Sequence, residues 1–398
     1  MREFRFDGEI PGSKSELIRA HVARTLGPGI TVLGGSRADD VVAAVAAADA
    51  IVSGAPRLDA DSSGLLFRLL LARASRLGRP VLITGKPRLL ERPHGPLFEV
   101  LRQLGVRVTP GQGGVEIEGP LGGSWNVPEV PVRIDVEQSS QYLSAVLLAA
   151  WSLPRPLVLE LSGPPVSQGY LEITTELLRQ LGMKISEASG RLEIAAGQRP
   201  WASVIAVDPD LSTSFAVAAL AAVAGRARLE RTPERSRQPD ILGFSLLERM
   251  GASVRREGTA LIVERAGPLR PIEVDLSGAP DLFPVLSVLA AVADGRSVLR
   301  GAPHLALKES NRIAKAAELI ARLGRRSEPA DGGLVVHGRL VMDGEVLPPS
   351  AGAFDPDHDH RQVMAAYVAR FAGLAVELTD PRAVSKSAPE FLEWVRGG

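Results

Sequence analysis

The stretch Ser139-Ser140-Gln141-Tyr142-Leu143-Ser144-Ala145-Val146-Leu147-Leu148-Ala149-Ala150 decides how the chain folds. A short polar cluster opens a helix that is apolar nearly all round, a break follows, and Leu157-Val158-Leu159-Glu160 reads as a strand. A helix without a wet face belongs inside a domain. The unit recurs, with polar openings at Ser13-Lys14-Ser15, Ser62-Ser63-Gly64, Ser212-Thr213-Ser214, Pro280-Asp281 and Asp359-His360-Arg361. The strands that follow are expected at Ile30–Leu33, Val81–Thr84, Ala227–Glu230, Ser297–Arg300 and Leu374–Glu377.

Between these units runs an amphipathic helix that ends in an apolar residue and glycine. The pairs are Leu104-Gly105, Leu181-Gly182, Met250-Gly251 and Leu323-Gly324. Glycine suits the left-handed residue just past a helix. Four clear copies and two weaker ones predict six similar α/β units, three in each half. A solenoid is the alternative, but this repeat is longer than the common arrays and its helices lack the wet face of a stacked repeat. With 398 residues, the chain exceeds what one core fills, and two domains are expected.

Lys+Arg and Asp+Glu both total 46, so no net charge attracts nucleic acid or an anionic membrane. The absence of cysteine excludes disulfides, thiolate metal sites and a cysteine nucleophile. The charged start, Met1 to Asp7, has no signal core, and the longest uncharged apolar run, Leu211 to Ala224, is too short to span a membrane. A soluble, cytoplasmic protein is expected.

Each polar cluster opens a helix, where unpaired N–H groups and the helix dipole favour anions. For any one copy, N-capping is explanation enough; six copies converging on a cleft would form an anion trap without net basic charge. Only six lysines stand against 40 arginines. A kept lysine offers a compact ammonium that can shift its pKa and move a proton, which arginine cannot.

Pro11-Gly12-Ser13-Lys14-Ser15 with Arg19 resembles the opening motif of EPSP synthases. The resemblance continues in order through Glu91-Arg92-Pro93, Ser139-Ser140-Gln141, Ser167 with Tyr170, Gln238-Pro239-Asp240-Ile241 and Glu248 to Ala252. It ends through Pro280-Asp281, Lys308-Glu309-Ser310-Asn311-Arg312, Asp359-His360-Arg361 and Lys386-Ser387. Any one tripeptide is weak, whereas the ordered set is specific. The resemblance implies an α/β (α+β) fold of two inside-out α/β barrel domains, each of three units, with substrates in the cleft between them. It implies domains at 13–209 and 210–398, with strand 1–12 added to the second.

What the resemblance implies chemically is transfer of the enolpyruvyl group of phosphoenolpyruvate to shikimate 3-phosphate, without cofactor or metal, by a monomer. Phosphoenolpyruvate would be held by Lys14, Gly64, Arg92, Gln141, Arg312, Arg361 and Lys386. The planar guanidinium fork suits its phosphate and carboxylate. Shikimate 3-phosphate would be held by Lys14, Ser15, Arg19, Ser139, Ser140, Gln141, Ser167, Asp281 and Lys308. Asp281 would face the attacking 5-hydroxyl and Glu309 the proton at C3, with Lys14 and Lys386 sharing the acid–base work.

The chain departs from the family pattern in places. Ser62-Ser63-Gly64-Leu65-Leu66-Phe67-Arg68 keeps Gly64 and Arg68 but lacks the family's Asn and Thr. His304 stands for an Asn, Asn311 for an Asp and Ala306 for an Arg, and the stretch 41–61 is short. The alternatives are a UDP-N-acetylglucosamine enolpyruvyl transferase, disfavoured by Ser15 and the lack of cysteine, and an inactive binding homologue. An RNA 3′-phosphate cyclase is disfavoured by the zero net charge. The run Asp355 to His360 reads as a loop before a helix, with His360 a possible helper and His358 incidental; His94 and His337 read as surface or loop residues.

Overall fold

A computed structural model describes residues 3–188, 190–339 and 352–396. The chain divides into two compact units, Gly12–Val207 and Met1–Pro11 with Asp208–Gly398. Each has its own hydrophobic core. It is a mixed α/β protein.

One sheet pattern occurs four times. In the first unit Arg57–Asp59 pairs parallel with Val81–Thr84, which pairs antiparallel with Gly114–Glu118 and through it with Arg107–Gly111. Val132–Ile134, Leu157–Leu161, Arg191–Ile194 and Ile185–Ala188 repeat this arrangement. In the second unit it is built from Phe4–Glu9, Gly225–Glu230, Ala260–Glu264 and Ser253–Glu257. The fourth copy comprises Glu273–Asp275, Arg296–Arg300, Gly333–His337 and Arg326–Ala330. A fifth sheet has only two parallel strands, Ile30–Leu33 and Ser203–Ala206.

The expected sixth strand is corrected. Among the described residues Leu374–Glu377 joins no ladder, and only Leu378 bridges Phe354. The Val376 carbonyl accepts instead from Arg370 Nε at 2.7 Å. Nor does any strand pairing among the described residues close the sheets into a barrel; they remain separate around central helices.

Those helices lie where the apolar runs predict. Gly64–Ala74 packs against both Lys14–Arg24 and Ser140–Ala149. In the second unit Leu211–Ala224, Phe283–Val292 and His360–Phe371 pack on one another. Every residue of Leu211–Ala224 is buried, because Ala, Leu and Val cover all its sides and no face can be left to water. Its start is capped by Asp210, whose Oδ1 accepts from Thr213 N at 2.8 Å. The four amphipathic helices end as expected, with Gly105, Gly182, Gly251 and Gly324 at φ +80, +90, +98 and +68°.

Gly225 pairs with Phe4 in the parallel ladder, and a Cβ there would collide with the Phe4 carbonyl. Gly225→Ala is expected to loosen the Phe4–Glu9 pairing and destabilise the second unit by about 1–3 kcal/mol. Urea unfolding checks this; an unchanged midpoint would show that the N-terminal strand adds nothing to stability.

Candidate active site

Helix starts position the polar residues of both units, since backbone N–H groups there lack intrahelical partners. In Gly12–Val207, Ser13 Oγ accepts from Glu16 N (3.4 Å) and starts Lys14–Arg24. Lys14 Nζ lies 3.1 Å from Asp40 Oδ2, with both side chains largely buried. Ser63 caps Gly64–Ala74, and the Arg92 guanidinium lies directly against Gly64, so a side chain there would displace it.

Arg68, one turn into the same helix, is buried and ties three segments together. Its Nη1 donates to Gln141 Oε1 (2.5 Å) and Ser139 Oγ (3.4 Å), and its Nη2 to the Pro93 carbonyl (3.0 Å). The Tyr142 ring lies 5.0 Å from its guanidinium carbon, and Tyr142 donates to the same Pro93 carbonyl at 2.7 Å. Ser139 caps Ser140–Ala149, where Ser140 is itself buried.

Arg19 turns inward. It donates from Nε to Thr174 Oγ1 (2.7 Å), from Nη1 to the Ser15 carbonyl (2.8 Å) and from Nη2 to the Tyr170 carbonyl (2.9 Å). Burial lowers its pKa to about 10, offset partly by Tyr170 and Glu16. Ser167 precedes helix Gln168–Gln180 in the left-handed region (φ +54°), a conformation costly for serine and concentrated at functional sites.

The second unit holds a denser charge cluster. Arg312, the first residue of Arg312–Arg322, donates from Nε to Asp359 Oδ2 (2.7 Å), from Nη1 to Asp281 Oδ1 (2.7 Å) and from Nη2 to Glu309 Oε2 (3.0 Å). Arg361 Nη2 donates to the other Asp281 oxygen at 2.6 Å. Ser310 Oγ donates to Asp359 Oδ2 (3.0 Å), while Asp359 Oδ1 caps its own helix by accepting from Arg361 N (3.0 Å). Burial opposes the Arg312 charge, but Asp359, Glu309 and Asp281 outweigh it and hold its pKa well above the ordinary value.

Exposure sorts these carboxylates by task. Asp359 is fully buried, whereas the Asp281 and Glu309 side chains are 15% and 18% exposed. Lys386 is buried at the end of the short helix Pro381–Lys386, and Lys308 follows the turn that carries His304. His304 is buried and kept neutral: burial, then Lys308, lowers its pKa to about 4. His360 is buried with Nδ1 3.8 Å from Asp359 Oδ1, and His358 is exposed beside Asp380.

The sequence-derived residues thus fall into two groups, one per unit. Contacts join Gly64 to Arg92, Ser139 to Gln141, Ser15 to Arg19, and Asp281, Glu309, Arg312 and Arg361 to one another. Sequence reasoning missed Asp40, Arg68, Thr174 and Asp359 as supports. Arg68 and Asp359 stood inside quoted motifs, and Asp40 opens the helix Asp39–Val52. Thr174, buried between Arg19 and Ser144 Oγ (2.9 Å), carried no signal at all.

Of the surface or loop position expected for His94, the loop holds and the surface does not. It is buried at the start of Gly95–Gln103, with its ring 4.6 Å from that of Phe67 and Nε2–H donating to the Leu89 carbonyl at 2.9 Å. His337 lies on the strand Gly333–His337, 3.2 Å from Glu328 Oε1. Burial, then Arg68, lowers the His94 pKa to about 3 from an ordinary 6.5. Below pH 6.5 the unfolded chain therefore takes up a proton that the fold refuses, and stability falls with pH. The expected slope is about 1.4 kcal/mol per pH unit for this group. In urea titrations between pH 6.5 and 4, His94→Gln should lower the slope by that amount; an identical slope would place the proton elsewhere.

Removing Asp359 leaves Arg312 buried with less compensation and uncaps a helix. Asp359→Ala is expected to cost about 3–5 kcal/mol in urea unfolding. A loss under about 1 kcal/mol would mean that Asp281 and Glu309 suffice for Arg312.

Residues 18–395 match the family model described as EPSP synthase (3-phosphoshikimate 1-carboxyvinyltransferase). A protein of that last name from Aeropyrum pernix is 35% identical over 407 residues, covering 97% of this chain and 91% of the relative. Another from Methanoculleus marisnigri is 34% identical over 351 residues, covering 87% and 80%. The solved EPSP synthase of Acinetobacter baumannii superposes with a TM-score of 0.76 at 24% identity, covering 99% and 96%, and supports the fold. With this family match and these identities over most of both sequences, the chain belongs to the EPSP synthase family.

Proposed function

We propose that this protein transfers the enolpyruvyl (carboxyvinyl) group of phosphoenolpyruvate to the 5-hydroxyl of shikimate 3-phosphate and releases phosphate. Family membership supports the reaction class. The observation that carries the chemistry is Asp281, a reachable carboxylate gripped on one oxygen by Arg312 and on the other by Arg361.

In the addition step the substrate hydroxyl oxygen bonds to C2 of phosphoenolpyruvate, its proton passes to Asp281, and C3 gains a proton. In the elimination step the C2–phosphate bond breaks and C3 gives up a proton. Glu309 handles the C3 proton, with Lys14 and Lys386 sharing the work. Lys14, Gly64, Arg92, Gln141, Arg312, Arg361 and Lys386 are assigned to phosphoenolpyruvate. Shikimate 3-phosphate is assigned to Lys14, Ser15, Arg19, Ser139, Ser140, Gln141, Ser167, Asp281 and Lys308. Oriented donors neutralise developing charge at no cost in reorganisation, which makes them the largest lever in such chemistry.

In our reading the protein works as a monomer. The cytoplasm is the compartment of our reading; among the described residues no helix is long and apolar enough to cross a membrane.

The test is phosphate release from phosphoenolpyruvate that depends on shikimate 3-phosphate, with no metal or nucleotide added. No release from folded protein would overturn the proposal. Asp281→Asn keeps the hydrogen-bonding shape but not the base, and kcat should fall roughly 10²–10⁴-fold. Substrate binding should survive; unchanged kcat would remove Asp281 from the chemistry.

A further inference from the structure

Helix Gly64–Ala74 is apolar almost throughout, yet it buries an arginine in its second turn: Arg68 is only 2% exposed. Such burial is expensive unless every bond the charge makes serves a purpose. A guanidinium carries five N–H donors and no acceptor. The oxygens it holds are all neutral. Gln141 Oε1, Ser139 Oγ and the Pro93 carbonyl accept from it at 2.5, 3.4 and 3.0 Å.

Each of these bonds decides what its partner has left to offer. Because Arg68 only donates, the Gln141 amide must turn its oxygen to it, which puts the nitrogen, with two N–H donors, on the other side. Ser139 Oγ also accepts from Gln141 N at 3.3 Å, so both its lone pairs are filled and its O–H is left to donate. The Pro93 carbonyl takes a second bond from the Tyr142 hydroxyl at 2.7 Å, which uses both its lone pairs as well. Three groups able to repel an anion have become donors or have been silenced.

We propose that Arg68 is a positioning residue, which acts through Gln141 and Ser139 so that both present only hydrogen-bond donors to the phosphorylated substrates. The role rests on the reaction proposed above, and all its parts lie within the first unit. Arginine suits it better than lysine would. A planar fork reaches three oxygens at fixed angles, whereas an ammonium gathers its donors around one point. The Tyr142 ring, 5.0 Å from the guanidinium carbon, supports the fork from the side.

Arg68→Lys keeps the charge and removes the fork. Assayed well below its unfolding temperature, it should raise KM for both substrates about tenfold and leave kcat within about threefold. A purely structural role would reduce the amount of active protein, and so kcat, at unchanged KM; that result overturns the proposal. On a Gln141→Ala background, Arg68→Lys should raise KM for phosphoenolpyruvate by less than about threefold more, because the group it positions is gone. Full additivity overturns the role. Gln141→Glu leaves Arg68 in place and is the second variant. One carboxylate oxygen can bond Arg68, while the other faces the substrate as a charged acceptor; the urea midpoint should hold and KM for phosphoenolpyruvate rise about a hundredfold. Unchanged KM in that variant also overturns the role. If the unaltered chain releases no phosphate, the proposed reaction falls and this role with it. Normal turnover together with unchanged KM in Arg68→Lys removes Arg68 alone.

Discussion

A helix that is apolar on every side has only its ends to offer to water. That constraint organises each unit of this protein. Leu211–Ala224 is buried along its whole length, and the central helices of both units approach the same condition. Sheets enclose their sides, so polar residues are confined to the first turns. Those turns carry unpaired N–H groups and the positive end of the helix dipole. The same hydrophobic burial that stabilises the fold therefore also gathers the anion-seeking groups.

Concentrated charge then has to be balanced inside the protein. In the second unit, Arg312 is almost wholly buried and stays charged because three carboxylates surround it. Asp359, the deepest, also fixes the start of His360–Phe371, so one side chain couples the ion cluster to the packing of a central helix. In the first unit Lys14 is balanced by Asp40, and Arg68 donates to neutral oxygens beside an aromatic ring. A chain with zero net charge can hold so many cations only through such local pairing.

Much of this was legible in the sequence because burial leaves a periodic trace. The all-apolar runs located the central helices, and glycines at helix ends marked the amphipathic ones. Leu374–Glu377 misled because a short, largely apolar run says nothing about available partners; Arg370 takes the Val376 carbonyl that a neighbouring strand would need. Pro93 and Gly95 beside His94 do mark a loop, but its burial between Phe67 and Phe98 depends on distant packing and leaves no local trace. Supports such as Thr174 are invisible for a similar reason, since their partners lie up to 155 residues away.

Under the proposed function, the internal ion pairs set the terms of substrate binding. A phosphorylated acid reaching Arg361 meets a guanidinium already engaged by Asp281, so it competes with a carboxylate rather than with water. The Coulomb gain is the difference between two pairings, smaller than either alone. Such exchange tempers affinity, yet it releases an Asp281 oxygen as the anion arrives. A base held by arginine until substrate displaces it is armed by binding itself, and binding energy is then directed toward the step that needs the base.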